Sequence, residues 1–156
     1  MLITDYTIDH QGFDWSALLA DWAWMLPLEF TVWLMNRYGD LFLVLEDGSV
    51  HILDIGNGTL DKLAQSRDDF CEKVDNDSNA NDWLMIPLVD QLRHAGKELQ
   101  PSQCYSFVIP PVLGGDFAVE NTAILNIMEH YTVYASIHEQ IKDLPEGSQV
   151  SLKTEA

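Results

Sequence analysis

The stretch RYGDLFLVLEDGSVHILDIGNG, residues 37–58, decides the fold of this chain. It contains two short apolar runs, Leu41–Leu45 and Val50–Leu53, which are separated by the tetrapeptide EDGS. An Asp-Gly step between apolar runs is a strong hairpin signal, because glycine readily adopts the positive φ that tight hairpin turns need. The first run is apolar at every position, which predicts a strand buried on both faces at the centre of a sheet.

Neighbouring segments extend this hairpin into a meander with strands near 30–36, 40–46 and 49–54. Residues 104–109 alternate like a further strand until Pro110-Pro111 stops it, and residues 121–127 favour a last one. The sequence therefore predicts a mainly antiparallel sheet, built from the meander around residues 30–54 plus the strand at 104–109.

Helical spacing of apolar residues predicts four helices, near 15–24, 60–75, 83–95 and 129–142. Asp14 is placed to cap the first helix and Thr59 the second, while Gly96 is a natural end for the third. Pro87 is tolerated only near a helix start, which predicts that Trp83 to Ile86 form the first turn of the third helix.

The predicted fold class is α+β, with one domain and one core, because 156 residues with 47% hydrophobic content suit a single globular unit. Residues 1–27 are expected to form an N-terminal helical arm and residues 28–150 the α+β domain. Residues 151–156 are expected to be a tail.

The chain is strongly acidic, with 8 lysines and arginines against 25 aspartates and glutamates and a formal net charge of −17. Such a surface repels nucleic acid and anionic lipid and favours a basic protein partner, although acidity also serves solubility alone. The N-terminus MLITDYTIDHQ lacks the basic residues of a secretory signal. The apolar segment at 22–28 is far shorter than the ~20 residues of a membrane span. We therefore expect a cytoplasmic protein with neither nucleic acid nor membrane as partner.

The sequence predicts no catalytic, cofactor or metal site. Cys71 and Cys104 do not form a Cys-x-x-Cys pair, and the five histidines include no His-x-x-x-His pair. The segment from Asp75 resembles a calcium loop in composition, but Ala80 and Ile86 stand where the loop needs glycine and glutamate. A hydrolase in which Cys104 converges with a histidine stays open as an alternative.

The acidic outer face of the predicted 60–75 helix is the candidate partner-binding surface. Such a face often only keeps a helix solvated, but it also raises the association rate with a cationic protein. Tyr131 and Tyr134 are further candidates for aromatic anchors, although such residues more often belong to the core than to an interface. The candidate partner-binding residues are Asp61, Asp68, Asp69, Glu72, Asp75, Asp82 and Trp83.

Four parts of the chain resemble one bacterial family. They are GDLFLVLEDGSVHILDIGNGTL (39–60), SRDDFCEKVD with NDWLMIPLVDQLRHAG (66–96), QCYSFVIPPVLGGDFAVEN (103–121) and SIHEQIKDLPEGSQV (136–150). Over roughly residues 28–150 the chain is similar to the C-terminal domain of type VI secretion immunity proteins that neutralise a co-encoded DNase effector. This was formerly a domain of unknown function, often paired with a GAD-like domain, and it resembles more distantly the SMI1/KNR4-like (SUKH) group.

The resemblance implies a non-enzymatic cytoplasmic protein without cofactors, whose partner is a cognate toxin effector, basic and of the DNase type. Residues 1–27 are too short for a full GAD-like domain. The oligomeric state stays open. Two alternatives to immunity also stay open, a regulatory or scaffold module with no toxin partner and the small Cys/His hydrolase.

Overall fold

The computed structural model describes residues 2–144, so the end of the predicted domain at 145–150 and the tail at 151–156 lie outside the described residues. The strands are β1 (Phe30–Met35), β2 (Leu41–Leu45), β3 (Val50–Asp54), β4 (Thr59–Ala64), β5 (Gln103–Phe107) and β6 (Thr122–Asn126). The helices are α1 (Trp15–Leu18), α2 (Arg67–Val74), α3 (Asn79–Leu84), α4 (Ile86–His94) and α5 (Ile127–Ile141). The fold class is α+β, as predicted.

The predicted central hairpin forms β2 and β3. Leu41 faces Leu53 across the two strands, and the turn between them contains Gly48 at a φ of +86°. The amide of Leu45 donates to the carbonyl oxygen of Ser49 at 2.9 Å and closes the turn. The hairpin predicted from the Asp-Gly step is therefore confirmed.

β2 lies inside a four-stranded antiparallel sheet of order β1-β2-β3-β4. Leu41 and Leu43 point into a core that they share with Trp22 and with Tyr131 of α5. Phe42 belongs to a different cluster, which includes residues of α2 and α3. Because helical segments cover both faces of the sheet, a strand that is apolar at every position is stable here, as predicted.

β5 and β6 form a separate two-stranded antiparallel sheet, which packs with α4 around Tyr38 and Tyr105. The strand predicted at 104–109 is thus confirmed as β5, although it lies in this second sheet rather than beside the meander. Alternating side chains predict a strand but do not identify its neighbour. The two sheets meet where the amide of Tyr105 donates to the carbonyl oxygen of Arg37 at 2.9 Å.

The helix predicted near 60–75 is wrong in its first part, because residues 59–64 form β4. Leu60 pairs with Leu53 of β3 in this strand, and pairing with an existing sheet edge outweighs a helical spacing of only a few residues. The helix α2 is capped by Ser66, whose Oγ accepts from the amide of Asp69 at 3.0 Å, and not by Thr59. A serine followed three residues later by an acidic residue is a helix-start pattern, and the sequence analysis overlooked it at Ser66 and Asp69.

The helix predicted near 83–95 is divided at Met85, which has a left-handed φ of +53°. Its first turn is not formed by Trp83 to Ile86; α3 ends at Leu84 and α4 begins at Ile86, with Pro87 in its first turn. Pro87 has no N–H to donate to the carbonyl oxygen of Trp83. That oxygen accepts instead from Nδ2 of Asn36 at 3.0 Å.

The helix predicted near 15–24 is shorter than expected, with α1 at Trp15–Leu18, whereas the helix predicted near 129–142 is confirmed as α5. Asp14 caps α1, its Oδ1 accepting from the amide of Ala17 at 3.2 Å, and a short 3-10 turn at Ala20–Trp22 continues the helical segment. α5 begins two residues before the expected 129 because Asn126 caps it.

Candidate partner-binding surface

The predicted acidic residues lie on three neighbouring elements, since α2 packs against both β4 and α3. We call this set the acidic surface. It consists of Asp61 on β4, of Asp68, Asp69, Glu72 and Asp75 on α2 or at its end, and of Asp82 on α3. All except the half-buried Asp69 are exposed. Asp61 reaches this surface from a strand, and not from the helix on which the sequence placed it.

Two members of the acidic surface also have structural bonds. The Asp69 carboxylate accepts from the amide of Gln65 at 2.9 Å and lies 3.1 Å from Nζ of Lys73. The Gln65 bond, followed by the Lys73 contact, lowers the pKa of Asp69. Oδ2 of Asp82 accepts from Oγ of Ser78 at 2.9 Å. Asp69 thus stabilises the start of α2 whether or not a partner binds.

Trp83 lies beside the acidic surface but packs inward. Its ring stacks on Phe70 at a centroid distance of 5.1 Å and an interplanar angle of 19°, and Phe70 is buried. The half-buried Trp83 ring is therefore an edge of the core, with only part of its surface open to a partner.

Tyr131 and Tyr134 are buried, so they belong to the core and are not exposed anchors. The Tyr131 hydroxyl donates to the carbonyl oxygen of Gly39 at 2.7 Å, and the Tyr134 hydroxyl donates to that of Phe107 at 2.6 Å. Both tyrosines lie on the inner side of α5, where their rings fill the core and their hydroxyl groups keep a hydrogen-bond partner.

A small cleft opens between the end of β3, α3 and the segment after β5, with a cavity volume of about 60 Å³. Asp54, Asp82 and Phe117 line it together with the buried Asp40 and His130. Burial, and then the nearby Asp54, raises the pKa of Asp40. Its Oδ1 accepts from the amide of Ile55 at 2.9 Å, so this carboxyl group holds the end of β3 in place.

His130 joins three parts of the core. Its Nε2 donates to the carbonyl oxygen of Tyr38 at 3.0 Å, and its Nδ1 accepts from Oγ of Ser106 at 2.8 Å. Burial lowers the pKa of His130 to about 4. With both ring nitrogens bonded to the protein, His130 is placed as a neutral structural bridge and not as an acid–base group.

We expect His130 to make the protein less stable in acid. Because its folded-state pKa lies below the unfolded value of about 6.5, His130 contributes stability above pH 6.5 that is lost as the pH falls through about 4. Urea unfolding between pH 7 and 4 should show this loss in the wild type and a smaller loss in His130→Gln. The exposed His94 provides the control, since His94→Gln should keep the wild-type dependence. A His130 ring that titrates near 6.5 by NMR would contradict the expectation.

Cys104 is fully buried, and burial raises the pKa of its thiol. A thiol in such surroundings is held in its protonated, unreactive form. The hydrolase alternative needs a reactive Cys104 beside a histidine that exchanges protons, whereas burial disfavours the thiolate of Cys104 and the charged form of His130.

Within residues 2–144, no group of three or more His, Cys, Asp or Glu side chains is arranged to hold a metal ion. No helix in the same part of the chain is long and apolar enough to cross a membrane.

The segment between β5 and β6 is a surface that the sequence reasoning missed. We call residues 108–118 the apolar loop. Four large apolar side chains in it are exposed to solvent, namely Val108, Ile109, Val112 and Phe117. The available signal was apolar side chains interleaved with Pro110-Pro111 and Gly114-Gly115, a composition that no continuous strand or helix accommodates.

The crystal structure of Atu4351 from Agrobacterium tumefaciens is similar to this chain, with a TM-score of 0.50 and 16% sequence identity. The similarity covers 77% of this chain and 61% of that one, so this chain spans less than two thirds of its length. At this identity the likeness concerns the fold alone.

No curated protein sequence matches the chain. The family model described as T6SS immunity protein Tdi1, C-terminal, matches residues 64–138, and over these residues it confirms the resemblance to type VI secretion immunity proteins.

Proposed function

We propose that this protein is an immunity protein of a type VI secretion system, which binds a cognate effector in the cytoplasm and blocks it. The observation that carries this proposal is the family match over residues 64–138. That segment runs from the end of β4 into α5, and so it includes most of the acidic surface and the whole apolar loop.

The effector we infer is basic, with a nuclease as the specific candidate. A DNase binds phosphate through lysine and arginine side chains, and a protein with a net charge of −17 is complementary to such a groove. In the described part of the chain two ion pairs are formed, Lys73 with Asp69 and Lys142 with Glu139. Most of the acidic side chains are thus available for a basic partner.

The mechanism we infer is occlusion without catalysis. The neutral His130 and the protonated Cys104 support this, because neither is prepared for chemistry. The side chains that we place at the contact are those of the acidic surface, with Trp83 at its edge.

The test is co-expression with the neighbouring open reading frame. We expect this chain to restore growth to cells that express the neighbouring protein in the cytoplasm, and to co-purify with it. A complex that forms without any protection would favour a scaffold or regulatory module. If there is neither binding nor rescue, the immunity proposal is wrong for this protein.

Charge reversal on the acidic surface should slow association with the co-purified partner. We expect Asp68→Lys with Glu72→Lys to lower the association rate constant by about tenfold at low salt, with a smaller change in the dissociation rate. Stopped-flow measurements at 20 to 500 mM salt would check this. Glu129→Lys with Asp143→Lys is the control, since it changes the same net charge at exposed positions on and just after α5. The buried residues of α5 belong to a different core cluster from Phe70 of α2. Equal slowing by both pairs would mean that only net charge matters.

A further inference from the structure

In the part of the chain that the structure describes, the apolar loop holds the largest group of exposed apolar side chains. Among the described residues ten large apolar side chains are exposed, and four of them lie within the apolar loop. Val108 is 64% exposed and Phe117 is 59% exposed. Single exposed apolar residues are ordinary on protein surfaces, whereas a group within ten residues indicates a contact surface.

The apolar loop is held in one conformation by the side chain of Asn121. Oδ1 of Asn121 accepts from the amide of Ile109 at 2.8 Å, while Nδ2 donates to the carbonyl oxygens of Ile109 and Asp116, both at 2.9 Å. The amide of Gly115 donates to the carbonyl oxygen of Pro110 at 3.0 Å. A loop fixed before binding loses little conformational entropy in a complex, which favours affinity.

Close approach of the backbone explains why Gly115 occupies its position in this loop. A Cβ atom on residue 115 would lie 1.8 Å from the carbonyl oxygen of Ile109. The loop can therefore fold back on itself only with glycine here. Val108 and Ile109 are exposed in the same loop.

Negative charge borders the apolar loop. Phe117 and Pro111 line the same small cleft as Asp54 and Asp82, and Asp116 and Glu120 are exposed within and just after the loop. Neither Asp54 nor Asp82 forms an ion pair with a described residue. An apolar patch with this border complements a partner whose own apolar patch is surrounded by lysine and arginine.

We propose that the apolar loop is the docking site for the cognate effector, and that the effector presents to it an apolar patch bordered by basic side chains. This inference rests on the proposed function and gives the two surfaces different roles. The acidic surface speeds association, whereas the apolar loop slows dissociation, because a few residues buried at the centre of an interface carry most of its binding energy.

The test uses the full chain and the protein encoded by the neighbouring reading frame, purified as their complex and separated. We expect Val108→Ser with Ile109→Ser to weaken binding at least about thirtyfold, mainly through faster dissociation. Leu28→Ser with Met128→Ser is the control, because both side chains are exposed outside the apolar loop, and it should leave affinity within about threefold of wild type. Circular dichroism would show that each variant is folded. Val108→Lys is a second variant, which should also weaken binding because it places a cation against a basic partner.

Wild-type binding that survives both loop variants would overturn the docking site and leave the proposed function intact. Self-association of the wild-type chain that the loop variants abolish would also overturn it, since a second copy would then cover the loop. Failure of the wild type both to bind and to rescue would overturn the proposed function, and this inference with it.

Discussion

Replacing Trp22 by alanine is expected to lower the free energy of unfolding by about 4 kcal/mol. The Trp22 side chain is fully buried, in the core that contains Leu41 and Tyr131. Its Nε1 donates to the carbonyl oxygen of Tyr131 at 3.1 Å, and its ring meets that of His138 edge-on at 5.6 Å. The substitution would remove the largest side chain of this core and leave a cavity between the N-terminal segment and α5.

Trp24 gives a matched control two residues away. It is 43% exposed, and its main described contact is Nζ of Lys142, 5.2 Å from the ring centroid. Trp24→Ala should change the free energy of unfolding by less than about 1 kcal/mol. Urea unfolding followed by circular dichroism avoids the loss of tryptophan fluorescence. Equal effects of the two substitutions would mean that residues 15–22 do not share the core of the sheet.

The central hairpin was predictable because it depends on residues that are close together in the sequence. Gly48 supplies the turn, and the uninterrupted apolar run of β2 requires cover on both faces, so sequence and structure agree there. The Asp14 cap of α1 and the long α5 were predictable for the same reason.

β4 was not predictable from spacing alone. The spacing of Leu60, Leu63 and Ala64 is compatible with one face of a helix. This segment is a strand because its backbone pairs with the edge of β3. The division of the helix at Met85 likewise depends on Asn36, which satisfies the carbonyl oxygen of Trp83 from 47 residues away. Local sequence patterns do not show which residues far away in the sequence will pair with a segment or bond to it.

The acidic character of the candidate site was predictable from the sequence, but its three-dimensional arrangement was not. Acidic side chains such as Asp68 and Glu72 are almost always at the surface, so their exposure follows from residue type. Apolar residues such as Ile109 and Phe117 are ordinarily assigned to a core, and only the folded loop shows them outside. The cleft brings together Asp54 and Asp82, which are 28 positions apart in the sequence and belong to different elements.

Replacing Gly58 by alanine is expected to lower the free energy of unfolding by about 3 kcal/mol, through two separate effects. Gly58 has a φ of +69°, which disfavours any side chain. A Cβ atom there would also lie 2.5 Å from Nδ1 of His138. This ring is not free to move away, because its Nε2 donates to the carbonyl oxygen of Ile55 at 2.7 Å.

The two effects can be separated with Gly48 and His138. Gly48 has a φ of +86° and no heavy atom within 4 Å of its ideal Cβ position, so Gly48→Ala should cost only the backbone part, about 1 kcal/mol. In a His138→Ala background, Gly58→Ala should cost about the same small amount, which gives a coupling energy of about 2 kcal/mol in a double-mutant cycle. Urea unfolding of the four proteins measures this coupling. A coupling near zero would mean that the His138 ring can move away from a Cβ atom at position 58. The turn after β3 would then not pack against α5 as described.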